Sequence, residues 1–460
     1  MTKAAMAAYA TAARPLDITV FGCTGNAGRG VAFQVLRAKA EAAKGGSGSG
    51  SGSRSLSVGL AGRSRDRVES VLKGICDELG VAVEDLKAEI VIADAEDAGS
   101  MLDMARSTGV VISCAGPYGR YGEAAVVACI EGGAHYVDIT GEVAFVSRME
   151  SDHGAAAEKA GVALLPFSGY DCVPAELGMN LVGQALKRKK KEMRSLSLAF
   201  RSDGGGFPRG TLETLFDGIE GKVPERREGD ARFFSAEYLA TAKAALSPFS
   251  FLLPSWSGHI SSFTAPNFMS VVNVPILCRS APSLGLGHGF SISDRSAVAA
   301  APSALNLYGL VSTQLYIAAL VFGGLATLFP PFRWWARGKL RTYSYKGQAD
   351  RKVTVDVEGI AGDGGSESAS AHLVFPGDPG IYSTGLFAAA VALALREATS
   401  PPVDPDGGHA QPNLVPAGFH APVAALHPCG GGLLVKQLRC LGAEVVVKTS
   451  WGEDLDGADL

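Results

Sequence analysis

The 460 residues contain no C-x-x-C pair and no cysteine–histidine group at zinc spacing, so no metal site is expected. The eight cysteines (Cys23, Cys76, Cys114, Cys129, Cys172, Cys278, Cys429 and Cys440) are widely scattered, which predicts reduced thiols in an intracellular protein. Charge of one sign is also lacking: 42 basic against 46 acidic residues leave a net charge of −4, and nucleic acid is not an expected partner. No Ser-His-Asp order and no nucleophile elbow is present. The first residues lack the continuous apolar core of a secretory signal, and residues 1–15 are expected to be a disordered tail. The last deficit is local, for no charged residue occurs from Ser296 to Phe332.

With 47% hydrophobic and 19% charged residues, the chain has the composition of a folded protein long enough for two domains. Short β-branched runs alternate with helical periodicity. Strands are expected at Asp17–Phe21, Ser55–Ala61, Glu89–Ala93, Val110–Cys114, Tyr136–Ile139 and Val162–Phe167. Helices are expected from Gly28, Asp66, Gly122 and His153. The fold class read from this pattern is α/β, a Rossmann-type doubly wound parallel sheet over 16–175, with residues 45–53 as a flexible serine–glycine insert. A second α+β domain with antiparallel strands within 341–375 is expected over 176–384. Residues 385–460 are expected to be C-terminal helices packing back on the first domain.

Gly22, Cys23, Thr24, Gly25, Asn26, Ala27 and Gly28 lie between the first strand and first helix. A pyrophosphate needs backbone amides at a helix N-terminus with no side chain in the way, and glycines there meet that need. At the tip of the second strand, where an NAD site places an acid, stand Arg63 and Ser64, with no acid until Asp66. A cation and a hydroxyl suit a 2′-phosphate, so the expected cofactor is NADP(H). Asp94, past the third strand, is a candidate for the adenine edge, a helix cap being the other use of such a residue. Ala115, Gly116, Pro117 and Tyr118 follow the fourth strand, where the nicotinamide half falls.

These residues resemble the saccharopine dehydrogenase-like oxidoreductases, a family that includes animal lipid-droplet-associated proteins and mycobacterial trans-acting enoyl reductases. The resemblance is carried by G-C-T-G-N-A-G (22–28), A-G-R-S-R-D (61–66), C-A-G-P-Y-G-R-Y-G (114–122), A-C-I-E-G-G-A-H-Y-V-D-I-T-G-E (128–142) and G-Y-D-C-V-P-A-E-L-G (169–178). Later echoes are G-T-L-E-T (210–214), C-R-S (278–280) and P-G-D-P-G-I-Y-S-T (376–384). It implies an NADP-binding Rossmann domain with a second α+β domain inserted before the chain returns. It does not imply saccharopine as substrate, since no convergent set of arginines for an amino-dicarboxylate is written here.

Candidates for a proton donor are Tyr118, Tyr170 and Asp171, with helix capping as the alternative use of Asp171; His135 reads as a structural hydrogen-bonder. The apolar stretch 304–332, with Leu315–Phe329 at its centre and Arg333-Trp334-Trp335 after it, predicts a helix that meets a membrane or lipid-droplet surface. A buried core helix or a homodimer interface is its alternative use. The expected protein is therefore an intracellular, membrane- or lipid-droplet-associated NADP(H)-dependent oxidoreductase acting on an apolar or lipid-linked substrate. Against it stands a non-catalytic NADP-binding protein of the same surface.

Overall fold

The computed structural model describes residues 14–45, 55–204, 212–213, 216–217, 219–220, 252–287, 289–300, 307–340, 345, 347–362, 367–399, 414–429 and 432–460. The expected tail up to residue 13, the insert at 46–53, Gly210, Thr211 and Thr214, residues 304–306, and residues 400–413 of the expected C-terminal helices lie outside them.

The chain divides into two compact units, one running to Gly169 and resuming over Gly380–Leu441, the other made of Tyr170–Pro379 and Gly442–Leu460. The sequence pattern had placed those passages at 175/176 and 384/385.

In chain order the first unit contains β1 (Leu16–Phe21), α1 (Asn26–Gly45), β2 (Val58–Gly62), α2 (Arg65–Leu79), β3 (Glu89–Ile92), α3 (Ala98–Ser107) and β4 (Thr108–Ser113). α4 (Tyr118–Gly132), β5 (His135–Asp138), α5 (Val143–Ala160) and β6 (Ala163–Leu165) follow. Every residue of β1 is buried, as expected of a central strand covered on both faces. α5 starts ten residues before the expected His153, because Phe145, Val146 and Met149 already form a buried stripe among polar neighbours.

The second unit opens with α6 (Val173–Arg188), β7 (Met193–Ser202), β8 (Ser255–Ser257), β9 (Ser262–Pro266), α7 (Ser270–Ser283) and β10 (Ser291–Ala300). α8 (Leu307–Leu328), α9 (Pro330–Leu340), β11 (Lys352–Ala361) and β12 (Ser368–Pro376) follow. The chain then returns to the first unit with α10 (Thr384–Thr399), β13 (Gly418–Phe419) and α11 (Gly432–Cys440), and ends in the second with β14 (Glu444–Thr449) and β15 (Asp454–Leu455).

The first unit's sheet has the order β13-β6-β5-β4-β1-β2-β3 with every pair parallel. The succession 3-2-1-4-5-6 is the doubly wound Rossmann order, in which the chain changes direction across the sheet between β1 and β4. α10 is apolar enough to cross a membrane by composition alone, but with Pro379–Ser383 before it is mostly buried inside this unit and serves as a core helix.

The second unit's sheet has the order β15-β14-β12-β11-β7-β10-β9-β8, antiparallel except for β7 with β10. α6 lies so close to one face that a methyl on Gly178 would stand 2.5 Å from Val357. The basic run after α6 is not a free patch: Lys189 pairs with Glu453 at 3.0 Å and lies over the Trp451 ring, and Lys191 pairs with Glu367 at 2.9 Å.

The expectation of C-terminal helices through 460 needs correction. Residues 444–449 and 454–455 are strands of the second sheet, in which Val445 and Val447 are buried between outward Glu444, Val446 and Lys448. That period of two is the strand signal.

Candidate functional site

The first unit gathers the nucleotide-loop candidates at the carboxyl ends of β1, β2 and β4. Gly22 leaves β1 with φ +80°, a conformation suited to glycine, and a methyl there would meet the Ala115 nitrogen at 2.9 Å. Its amide donates to the Ala61 carbonyl at 3.0 Å, tying the loop to β2. A methyl on Gly28 would collide with the Gly22 carbonyl oxygen at 2.2 Å, so α1 packs directly on the turn. Gly25 differs, because a methyl there meets only that same oxygen, at an ordinary 3.5 Å. The three glycines thus divide the work of a dinucleotide loop into tight turn, open approach and helix packing.

α1 begins at Asn26, two residues before the expected Gly28, and its first i→i−4 bond runs from the Arg29 amide to the Gly25 carbonyl at 2.8 Å. The amides of Asn26, Ala27 and Gly28 precede that bond and have no carbonyl of their own helix to donate to. Thr24, Gly25 and Asn26 are exposed beside them. A pyrophosphate needs a helix N-terminus in this state.

At the tip of β2, Arg63 is exposed and engages no partner among the described residues. Ser64 holds the N-cap position of α2, yet its hydroxyl makes no capping bond. A cation and a hydroxyl are therefore both uncommitted where a 2′-phosphate falls, and the residues present fit NADP(H). Asp94 does not cap α3: Asp97 does, accepting from Gly99 and Ser100, while the Asp94 carboxylate accepts from the Glu96 amide at 3.2 Å.

The Ala115–Tyr118 turn includes a cis Gly116–Pro117 peptide. It is held by Glu142, whose two carboxylate oxygens accept the amides of Tyr118 and Gly119, each at 2.9 Å. The Tyr118 hydroxyl donates to the Ser113 carbonyl at 2.9 Å and accepts from the Ile139 amide at 3.3 Å. Burial first, then the charge of Asp138, holds that phenol well above its usual range. In this structure both bonds of the hydroxyl are spent within the protein, so it serves as a structural pin of the turn.

Two buried carboxylates that shape this region carry no signal of their own in the sequence, although both stand within 128–142. One is Glu142; the other is Asp138 at the end of β5. Asp138 accepts from the Tyr136 hydroxyl at 2.8 Å and from the Thr140 and Phe167 amides, each at 3.0 Å. Burial pushes its carboxyl up to about 7 against those bonds. His135 is structural: its Nδ1 accepts the Ala163 amide at 3.0 Å, and burial lowers its imidazole to about 4.

Tyr170 and Asp171 belong to the second unit. The Tyr170 ring meets Phe200 edge-on at 5.9 Å, and burial followed by the Asp171 charge raises its phenol. Asp171 does not cap α6, whose N-cap is Cys172 with no side-chain bond. Burial alone pushes the Asp171 carboxyl up to about 6. Among the described residues no group of three His, Cys, Asp or Glu side chains could hold a metal ion.

A parallel sheet in this strand order, with this glycine loop at its switch point, defines a Rossmann-type dinucleotide-binding domain. Residues 18–165 match the family described as "Saccharopine dehydrogenase NADP binding domain", and NADP(H) is the cofactor that this match supports. Related chains agree. A lipid droplet localized protein of Caenorhabditis elegans is 35% identical over 168 residues, 36% of this chain and 39% of that one. A saccharopine dehydrogenase-like oxidoreductase of Homo sapiens is 35% identical over 170 residues, 37% of this chain and 38% of its own. A chain of Mycobacterium tuberculosis named as a trans-acting enoyl reductase is 30% identical over 205 residues, 44% of each. The matched stretch thus spans 38% to 44% of these relatives' lengths. Among solved structures, saccharopine dehydrogenase (L-Glu forming) of Saccharomyces cerevisiae aligns over 94% of this chain and 99% of its own, at 15% identity and TM-score 0.43.

Proposed function

We propose that the protein is an NADP(H)-dependent oxidoreductase that acts on an apolar or lipid-linked substrate at a membrane or lipid-droplet surface. The observation that carries the surface assignment is α8, a helix of 22 residues in which only Gly309, Thr313 and Ile317 are buried. Leu315 is 66% exposed and Phe322 72%, and Trp334 follows in α9 at 81%. An apolar surface of this size on a soluble face needs a partner, and tryptophans beside it suit a headgroup boundary. The Caenorhabditis elegans relative, named for lipid-droplet localization, supports the same reading.

NADPH, when bound, supplies hydride. The chain's part is to receive the pyrophosphate at Gly22–Gly28, to hold the 2′-phosphate with Arg63 and Ser64, and to provide a proton. The candidates for that proton are Asp171 and Tyr170. A carboxyl raised to about 6 is protonated below that pH, so kcat/KM falls as pH rises through about 6. The test is NADPH oxidation in the presence of a total lipid extract. Turnover by the native protein, lost in Asp171→Asn with NADPH binding retained, supports the reading.

A second reading, a non-catalytic NADP-binding protein of the lipid surface, is favoured by the engagement of the Tyr118 hydroxyl, which leaves few donors. Tight NADPH binding without turnover across lipid classes would select it.

A further inference from the structure

α8 is about 33 Å long at 1.5 Å per residue, enough to cross a hydrocarbon core of about 30 Å. The sheet it belongs to forbids the crossing. β7 and β10 precede α8 and β11 follows it, yet β11 is paired with β7 from Val353–Ser202 to Ile360–Ser195. A crossing helix would leave β11 on the far side of the membrane. The return would fall to α9, whose 11 residues reach about 16 Å, and to 341–351, which carries Arg341, Lys346, Asp350 and Arg351.

The geometry instead gives α8 two sides. Gly309, Thr313 and Ile317, one turn apart, are buried where α8 packs against β9 and β10. On the opposite side Val311, Leu315, Phe322 and Leu325 form an exposed stripe at helical spacing. The two arginines within α9, Arg333 and Arg337, are engaged within the protein. Arg333 donates to the Thr327 carbonyl at 2.7 Å and pairs with Glu220 at 3.3 Å. Arg337 pairs with Asp217 at 2.7 Å and Glu220 at 3.1 Å, and lies over the Phe216 ring.

We propose that this stripe, with Trp334 and Trp335, beds in the plane of a single phospholipid leaflet and needs no anionic lipid to do so. The inference rests on the lipid-surface reading above and adds to it the depth, the orientation and the headgroup charge. Binding of an interfacial helix combines apolar area with attraction of free cations to anionic lipid. Here the two arginines beside the stripe are already neutralised by Asp217 and Glu220, so the apolar part dominates.

The test is flotation of the full chain with phosphatidylcholine vesicles, and with the same vesicles containing phosphatidylserine, at low and high salt. The expected recovery is the same on both within about twofold and insensitive to salt, where a free-cation surface would show a large difference. Phe322→Asp with Leu325→Asp should lower recovery at least about tenfold, while NADPH binding and thermal unfolding stay as in the native chain. Flotation only with phosphatidylserine, abolished by salt, overturns the inference and leaves the lipid-surface reading standing. Absence of flotation on either vesicle overturns both. Unchanged flotation of the double variant overturns the assignment to this stripe. A homodimer in vesicle-free solution that the double variant converts to a monomer would give the stripe to a second copy of the chain.

Discussion

A methyl group on Gly385 would stand 2.6 Å from the carbonyl carbon of Gly30, so α10 and α1 cross with nothing between their backbones. α1 is the helix that starts at the nucleotide loop, and α10 returns from late in the chain to support it. Gly30 is crowded in its turn, since a methyl there would meet Ile381 Cγ2 at 2.6 Å. Gly385→Val must push the helices apart. The expected cost is about 1–3 kcal/mol of stability, seen as a lower Tm, together with weaker NADPH binding. A variant with the native Tm and affinity would show that the crossing tolerates a side chain.

Glu142 gives a second prediction. Its carboxylate satisfies two amides at the start of α4, and Glu142→Ala leaves both without that acceptor. A loss of about 1–3 kcal/mol is expected from denaturant unfolding, with a raised Kd for NADPH because the Ala115–Tyr118 turn is released. Glu142→Gln keeps one acceptor and should fall between the two. Equal stability of native and Ala chains would remove the positioning role.

Much of this site was legible in the sequence because its signals are local. The Gly22–Gly28 loop, Arg63 and Ser64 are contiguous runs whose spacing points to a dinucleotide loop, and β1 declares itself by a short β-branched run that ends at a glycine. Glu142 and Asp138 give no such signal, because their partners Tyr118, Gly119 and Phe167 lie 23 to 29 residues away. Asp94 and Asp97 show the same limit at short range: either could cap α3, and only the backbone path decides. In the second unit, β10 reads S-I-S-D-R-S-A-V-A-A, with buried Asp294 where a hydrophobe would have announced a strand. That carboxylate is accommodated by the side-chain amides of Asn267 at 2.9 Å and Asn273 at 2.8 Å, which no sequence period reveals.

Asp138 predicts a pH dependence of stability. Its carboxyl is raised in the folded state from 3.8 to about 7, so the folded chain holds a proton that the unfolded chain releases between those values. The contribution is fully present below about pH 4 and is lost as pH rises towards 7, at no more than about 1.4 kcal/mol per unit. Asp138→Asn keeps an oxygen for the Thr140 and Phe167 amides and cannot titrate. Denaturant unfolding across this window should show a flatter profile for Asp138→Asn than for the native chain. Parallel profiles would mean that Asp138 does not titrate there.

The central claim is that Arg63 and Ser64 make the first unit an NADPH site, and affinity for the two reduced cofactors tests it directly. Equilibrium titration of native protein and Arg63→Glu with NADPH and NADH should show native preference for NADPH. The variant should lose at least about tenfold of that preference, the scale of a charge-assisted hydrogen bond, with NADH affinity little changed. Equal native affinity for both cofactors, or a preference that survives Arg63→Glu, would contradict the account.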